Sequence, residues 1–264
     1  MKAYDFIYDN RNLSDFGFTI CDFDAKGLKT VSNGSNITFN TVSTMHGVKH
    51  ELTSVEYENC LEATIQICKN YCSSDIREIS SVEFRELTKW LNRKKFLKFK
   101  ILDEDYIDLY FEASFNISKI EFNGKLYGLE LEVITNRPFA LKEDKIINVK
   151  NTVENGRHYI TDTSHEEGFI YPYTEITIIE DGDLNIHNSI EDRDTYIANC
   201  TAGEVITMNY PVIQSSISSH NIQNDFNWNF FRVANTIDNS RNDLTISIPC
   251  TMKIRYSPII KVGL

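Results

Sequence analysis

Two strand patterns that each end at a proline place the strongest constraint on how this chain can fold. The first occupies residues 126–135 and is followed by Arg137-Pro138, and the second occupies residues 252–256 and is followed by Ser257-Pro258. In both, apolar and polar residues alternate with the period of two of a strand that has one buried face. Proline ends such a pattern because it lacks the backbone N–H that a sheet requires. The chain is therefore predicted to contain two successive domains rich in β-structure.

One segment of the first half predicts a helix. Ser80 and Glu83 have the Ser-x-x-Glu spacing of a capping box, in which each side chain bonds the backbone N–H of the other residue. Phe84, Leu87 and Leu91 then recur at spacings of three and four residues, the period of an amphipathic helix. We expect a helix of about three turns after Ser80, with its apolar stripe packed on a sheet of the neighbouring strands.

The second half has no convincing helical pattern, and short alternating segments recur in it with turns between them. They are residues 173–179, 183–187, 195–199, 204–210, 226–231, 244–248 and 251–256. About seven strands in roughly 110 residues are typical of a β-sandwich or a jelly roll. The expected fold class is mainly β. An α+β domain with one helix on a β-sheet is expected over residues 1–147, and a β-sandwich over residues 148–264.

The charge balance argues against a nucleic-acid-binding protein. The net charge is −11; residues 1–150 contain 20 Lys and Arg against 23 Asp and Glu, and residues 151–264 contain 7 against 15. Binding to nucleic acid needs a basic face that displaces counterions from phosphates. The one basic cluster is Arg93-Lys94-Lys95 with Lys98 and Lys100. We interpret it as a solvated helix end followed by an edge strand.

Composition also limits where the chain is expected to act. No apolar run reaches the roughly 20 residues that cross a bilayer. Asp5 interrupts the N-terminal residues 1–6, where a signal peptide would need an apolar core. We expect synthesis in the cytoplasm, no membrane insertion and no secretion by a signal peptide. The cysteines lack CxxC spacing and are expected as reduced thiols; they are Cys21, Cys60, Cys68, Cys72, Cys200 and Cys250.

Two clusters have a superficial likeness to metal sites. His46 and His50 are four residues apart, but on a strand that spacing separates them by about 13 Å, too far to share one ion. The acidic segments 180–183 and 191–194 lack the twelve-residue pattern of a calcium loop and are interpreted as solvated turns. No metal site is therefore expected.

Catalytic patterns are also missing. The chain has no Gly-x-Ser-x-Gly elbow, no HExxH and no P-loop. No spacing supports a pairing of Cys200 or Cys250 with His187 or His220 as nucleophile and base. We expect no catalytic residue, no cofactor-binding residue and no enzymatic activity.

The aromatic segment 227–231, Asn-Trp-Asn-Phe-Phe, has two interpretations. An exposed Trp228 between two asparagines would suit a platform on which a sugar stacks. Alternatively, the segment is an alternating strand whose Trp228 and Phe230 face the core. Since large aromatic side chains are mostly buried, we expect the second arrangement.

The order of these elements resembles the distal tail protein (Dit) family of long-tailed phages, prophages and related tail-like particles. The resemblance covers essentially the full length, although no single motif in it is specific. In the first half it rests on the aromatic strand 4–8 with Asp15-Phe16-Gly17-Phe18, and on the capped helix 80–92 that is followed by residues 95–99. It also rests on the strand 133–140, which ends at a proline and an aromatic residue. In the second half the matching segments are 181–183, 186–188, 203–204, 256–258 and 261–263.

This resemblance implies a structural role. Residues 1–147 would assemble into a homo-oligomeric ring, a hexamer or a pair of such rings, that continues the tail tube at the virion tail tip. Residues 148–264 would form a galectin-like β-sandwich that projects outward. The implied partners are the tail tube protein, a tail-associated lysin or fibre protein, and receptor-binding or baseplate proteins. Particles of this kind assemble in the host cytoplasm.

Two other functions stay open at this stage. A carbohydrate-binding β-sandwich used in host-surface recognition predicts an exposed aromatic side chain, such as Trp228, beside polar groups. A β-rich hydrolase predicts a pocket with convergent titratable groups, of which the sequence gives no sign.

Overall fold

The computed structural model describes residues 3–23, 36–44, 49–70, 77–236 and 239–262 of the chain. The chain forms two compact units, one of residues 1–141 with 261–264 and one of residues 142–260. Strands make up most of the described residues of each unit, so the expected mainly β fold is confirmed. Residues 147 and 148, where the sequence places the domain boundary, both lie within one strand of the second unit.

The described part of the N-terminal unit contains an antiparallel main sheet, a separate two-stranded sheet and one α-helix. Its strands are β1 Phe6–Tyr8, β2 Arg11–Asn12, β3 Phe18–Cys21, β4 Ile37–Thr44, β5 Lys49–Tyr57, β6 Glu62–Lys69, β7 Leu97–Ile101, β8 Leu109–Phe122, β9 Lys125–Thr135 and β10 Ala140–Lys142. The main sheet has the order β2-β1-β7-β8-β9-β6-β3, and β10 pairs with β8. The helix α1 spans Ser81–Leu91, and short 3₁₀ turns occupy Ser14–Phe16 and Glu104–Tyr106.

The predicted capping box and helix are confirmed. The N–H of Glu83 donates to Ser80 Oγ at 3.3 Å, and the N–H of Ser80 donates to Glu83 Oε2 at 2.7 Å. The buried face of α1 consists of Leu87, Trp90 and Leu91. Trp90 Nε1 donates to the carbonyl of Tyr8 at 3.0 Å, and the Trp90 ring stacks on Phe6 in β1. These contacts hold the helix on the sheet.

The C-terminal unit is a β-sandwich. Its strands are β11 Lys145–Asn151, β12 Gly156–Thr161, β13 Gly168–Ile170, β14 Tyr173–Ile178, β15 Gly182–Asn188, β16 Arg193–Cys200, β17 Val205–Asn209, β18 Val212–Ser215, β19 Val233–Asn235, β20 Arg241–Ile246, β21 Cys250–Tyr256 and β22 Ile259–Ile260. One sheet has the order β11-β21-β14-β17-β18 and the other β12-β20-β15-β16, while β13 pairs with β19. The second half, in which the sequence shows no convincing helix, contains the short helix α2 Ile222–Asp225.

Alternation along the strands builds one core between the two sheets. Ile176 and Met252 point inward from the first sheet, and Ile186 and Ile246 point inward from the second. All four side chains belong to a single buried cluster, and their polar sequence neighbours face away from it. This is the arrangement that the period-two pattern predicts for a sandwich.

The prediction of a strand over residues 226–231 is wrong. Phe226 makes only an isolated bridge to Ile197. Trp228 has a left-handed backbone with φ of +61°, and its side chain is 56% exposed, so the expected core position is also wrong for this residue. The cause is local: the Asn227 side chain accepts a hydrogen bond from the N–H of Asn229 at 3.0 Å, and such a turn competes with strand pairing. Phe230 is buried as expected.

Candidate interaction surfaces

A two-stranded ribbon in the N-terminal unit presents the first candidate surface. Among the described residues, β4 and β5 form a sheet of their own, and nearly every residue of both strands is exposed. An isolated two-stranded ribbon is only marginally stable in water, and its outer edges expose unpaired backbone groups. The ribbon is therefore a candidate interaction surface.

The two faces of this ribbon differ in polarity. Ile37 lies opposite Tyr57, and Phe39 lies opposite Val55, so these four side chains share one face. The intervening positions on the other face are polar and include the directly opposed pair of Thr38 with Glu56. Phe39 is 62% exposed, which is unusual for an apolar side chain on an otherwise regular strand.

A β-bulge extends the apolar face. The register shifts between Asn40 and Thr41, which leaves Thr53 as an extra residue and places Leu52 opposite Thr41. Because side chains alternate between faces, the extra residue moves Leu52 from the polar face to the face that carries Phe39. Val42, opposite Glu51, stays on the polar face. We call the face formed by Ile37, Phe39, Leu52, Val55 and Tyr57 the ribbon's apolar face.

A row of aromatic rings in the C-terminal unit presents the second candidate surface. Tyr171 stacks on Tyr210 at 4.2 Å, Tyr210 meets Phe230 edge-on at 5.3 Å, and Phe230 meets Trp228 at 6.4 Å between ring centroids. Phe226 lies 5.8 Å from Trp228. Phe226 and Phe230 are buried, whereas Tyr210 and Trp228 are each more than half exposed. We call this row the aromatic ridge.

Hydrogen bonds join the Trp228 end of the ridge to β16. Asn227 is anchored to β16, because its N–H donates to the carbonyl of Tyr196 at 3.1 Å and its Nδ2 donates to the carbonyl of Asp194 at 3.0 Å. The Asp194 carboxylate accepts from Asn185 Nδ2 at 3.0 Å and pairs with His187 Nδ1 at 3.1 Å. The residue before Trp228 is therefore bonded to the backbone of β16, and the Asp194 carboxylate of that strand bonds an amide and an imidazole group of β15.

The C-terminal unit also contains a buried polar cluster. Glu204 is fully buried, and its carboxylate accepts from Ser215 Oγ, from the N–H of Thr201 at 3.0 Å and from His220 Nδ1 at 2.6 Å. Burial raises the pKa of Glu204, but these hydrogen bonds outweigh that effect and lower the pKa below its usual range. Because Ser215 donates to Glu204 and not to His220, the cluster does not present a serine nucleophile activated by histidine.

The cysteines and histidines that were considered as nucleophile and base do not bond each other in the described structure. Burial raises the pKa of the Cys200 and Cys250 thiols to about 12, which keeps them protonated and unreactive. Cys200 Sγ donates to the Ile197 carbonyl, whereas His187 and His220 bond to carboxylates. The described cysteines are all free thiols, and Cys72 lies outside the described residues.

The metal candidates are also accounted for within the described ranges. His46 lies outside them, so its spacing to His50 is untested by the structure. In the acidic segments, Asp181 accepts from the N–H of Ala202, and Asp183 accepts from the Tyr196 hydroxyl. Across the described part of the chain, no group of three or more His, Cys, Asp or Glu side chains is arranged to hold a metal ion. No helix in that part is long and apolar enough to cross a membrane.

Sequence reasoning missed the ribbon's apolar face and the Tyr210 end of the ridge. The alternation at residues 37–42 predicts a strand, but an alternating strand normally packs its apolar side on a core. The sequence around these strands does not show that their apolar side is exposed. It also does not show the bulge that adds Leu52 to that side. Tyr210 was predicted as a strand residue, and its contact with Tyr171 joins segments that are distant in sequence.

Comparison with known proteins connects both units to phage tails. Residues 1–137 match a family model described as a phage tail protein N-terminal domain, and residues 139–256 match one described as a phage tail C-terminal domain. No curated protein sequence matches the chain significantly.

A solved structure shares the fold of the whole chain. It is the crystal structure of the SPP1 Dit protein (gp 19.1), described as a paradigm of the hub adsorption apparatus in phages that infect Gram-positive bacteria. The TM-score is 0.62, the sequence identity is 11%, and the match covers 97% of this chain and 99% of that chain. At this identity, the likeness concerns the fold.

Proposed function

This chain belongs to the family of phage tail proteins whose N-terminal and C-terminal domain models match residues 1–137 and 139–256, and we propose that it forms the ring-shaped hub of a tail tip. The family is one of structural tail proteins. Residues 1–147 are proposed to assemble into a ring of six copies that continues the tail tube. Residues 148–264 are proposed to be a galectin-like sandwich that makes the lateral contacts.

The partners of such a hub follow from its place in the particle. The proposed ring meets the tail tube protein on one side and a tail-associated lysin or fibre protein on the other. Receptor-binding or baseplate proteins are proposed to attach to the C-terminal unit. The function is structural, without catalysis; the Ser215–Glu204–His220 arrangement supports this, because it offers no activated nucleophile.

The observation that carries the ring proposal is the exposed apolar face of the ribbon. A ring forms when one surface of a subunit binds a different surface of the next subunit and the rotation closes. The ribbon supplies exposed apolar side chains to such a contact. Burying one side chain of the size of Phe39 or Leu52 contributes roughly 1.5–3 kcal/mol, so a few of them suffice to hold neighbouring copies.

Solution mass measured by light scattering over a concentration series tests the proposal. The wild-type chain of 30.5 kDa is expected to climb toward six times that mass. Phe39→Ser and Leu52→Ser are expected to shift the equilibrium toward the single chain, because each removes an apolar side chain from the contact. A tenfold weaker association corresponds to about 1.4 kcal/mol.

Val42→Ser is the matched control, because Val42 is exposed on the polar face of the same ribbon. It is expected to assemble like the wild type. A wild-type chain that stays at 30.5 kDa throughout the series would contradict self-assembly. A full-sized ring from Phe39→Ser would contradict the role of the ribbon while leaving the ring itself intact.

A further inference from the structure

We propose that the aromatic ridge of the C-terminal unit, with Trp228 and Tyr210 as its exposed members, is a binding site for a neutral saccharide chain. The proposal does not depend on ring formation, since every residue in it belongs to one C-terminal unit.

Trp228 is held in an exposed position by its surroundings. Its ring contacts Phe226 and Phe230, which are buried in the sandwich core, so one side of the indole is fixed while 56% of the side chain stays in solvent. The backbone is pinned by the hydrogen bonds that Asn227 makes to β16 and to Asn229. A left-handed backbone is rare for tryptophan and persists only where the surrounding structure imposes it. Such strain at an exposed aromatic residue favours a binding role.

The ridge offers two stacking positions in a row. Tyr210 is 55% exposed and is backed by Tyr171, which stacks on it at 4.2 Å. Phe230 lies between them: its ring centroid is 6.4 Å from that of Trp228 and 5.3 Å from that of Tyr210. The two exposed rings are therefore no farther apart than these two distances combined. A short chain of sugars can reach both rings within this distance, and we assign the site to such a chain.

The strands that hold the Trp228 turn carry polar groups with the hydrogen-bonding chemistry that sugar hydroxyls need. Carboxylates only accept hydrogen bonds, amides both donate and accept, and sugar hydroxyls do both. Asp194, Asn185 and His187 form a connected network on β15 and β16, next to the strand positions that Asn227 contacts. Aromatic faces with nearby fixed polar groups are the usual makeup of a small-molecule site that sets orientation by hydrogen bonds.

The charge of this unit narrows the ligand to a neutral saccharide. Residues 151–264 contain 15 acidic and 7 basic residues. The elements β15, β16 and α2, which precede or bond the Trp228 turn, carry the carboxylates Asp183, Asp194 and Asp225, which accept hydrogen bonds from Tyr196, Asn185 and Asn199. Phosphorylated or sulfated glycans would be repelled from this surface.

The two tryptophans of the chain allow a selective measurement. Trp90 is 2% exposed and Trp228 is 56% exposed, so acrylamide quenches chiefly the emission of Trp228. We expect soluble neutral tetrasaccharides, either of N-acetylglucosamine or of glucose or galactose, to protect the emission of the full-length chain from quenching. Heparin fragments serve as the anionic probe and are expected to give no protection. Calorimetric titration of the same saccharides then measures affinity in variants that lack Trp228.

Variants separate the ridge from the rest of the surface. Trp228→Ala is expected to weaken binding about tenfold or more, because the stacking face is lost, and Trp228→Tyr is expected to restore part of the affinity. Tyr159→Ala is the matched control, since Tyr159 is an exposed aromatic residue of β12 outside the ridge. The buried emission of Trp90 reports whether each variant is folded.

Three results would overturn the proposal: no protection by any neutral saccharide, equal affinity in Trp228→Ala, or stronger binding of heparin fragments than of neutral chains. Ridge burial by another tail protein in place of a sugar would appear as the first of these results. Because the solution mass is measured separately, loss of saccharide binding does not affect the ring proposal.

Discussion

At the scale of single residues, Glu204 is expected to be the most important polar group in the C-terminal unit. Its buried carboxylate accepts from Ser215, Thr201 and His220. Glu204→Gln keeps the shape but removes the charge, and hydrogen bonds to charged groups are worth about 1.5–3 kcal/mol each. We expect the free energy of unfolding, measured by urea denaturation at pH 7, to fall by about 2 kcal/mol.

Glu204 also predicts how stability depends on pH. Its hydrogen bonds hold the pKa below the ordinary value of 4.5, so the folded chain binds this proton less readily than the unfolded chain does. The resulting stabilisation is complete above the unfolded pKa and is lost as the pH falls through the folded pKa. The difference between wild type and Glu204→Gln should therefore shrink below about pH 4.5. Glu180→Gln, at an exposed carboxylate, should change neither quantity, and an equal effect there would refute the assignment to Glu204.

The residue scale also shows where sequence patterns mislead. Alternation in residues 226–231 predicts a strand with Trp228 inside, and Phe230 does lie in the core. The Asn227 side chain instead bonds the Asn229 N–H and turns the backbone at Trp228. Asparagines on both sides of an aromatic residue allow such a turn as well as a strand. The sequence does not show whether the side-chain turn or strand pairing is more stable.

At the scale of elements, the capped helix α1 makes a local prediction. Ser80→Ala removes the side-chain oxygen that accepts from the Glu83 N–H, while the ion pair of Glu83 with Lys69 at 2.9 Å stays. Loss of such a cap costs about 1 kcal/mol of the free energy of unfolding. Ser81→Ala, at the exposed first helical position, should stay within about 0.5 kcal/mol of the wild type. Chemical denaturation distinguishes the two variants, and equal stabilities would show that the cap does not hold the helix start.

Elements with local signals were predictable, and exposed elements were not. The capping spacing and the apolar period define α1 within its own residues, so the sequence was enough. The ribbon consists of two recognisable strands, yet the exposure of Phe39 depends on which other strands pair with which. The bulge that brings Leu52 to the apolar face is a property of the register between β4 and β5, which neither strand specifies alone.

At the scale of the whole molecule, the alternating patterns in the sequence do not predict the order of the strands in the sheets. Both β-rich halves and the sandwich followed from strand count and proline stops. The pairing of β1 with β7 joins Phe6 to Ile101 across the N-terminal unit, and β14 joins β21 in the other sheet. Such pairs are selected by the packing of all strands together, because many registers satisfy the same alternation.

The net charge of the whole chain leads to a final prediction about DNA, which passes through the lumen of a tail. With −11 overall, the chain is expected to leave duplex DNA unshifted in an electrophoretic mobility assay even at about 50 mM salt, where phosphate contacts are strongest. The basic cluster is a place that could retain DNA, but Arg93 already pairs with Asp9 at 3.4 Å, and Lys98 lies over the Tyr110 ring. If DNA is shifted and the double variant Lys94→Gln, Lys95→Gln abolishes the shift, the cluster is a phosphate site and the interpretation of it as a solvated helix end fails.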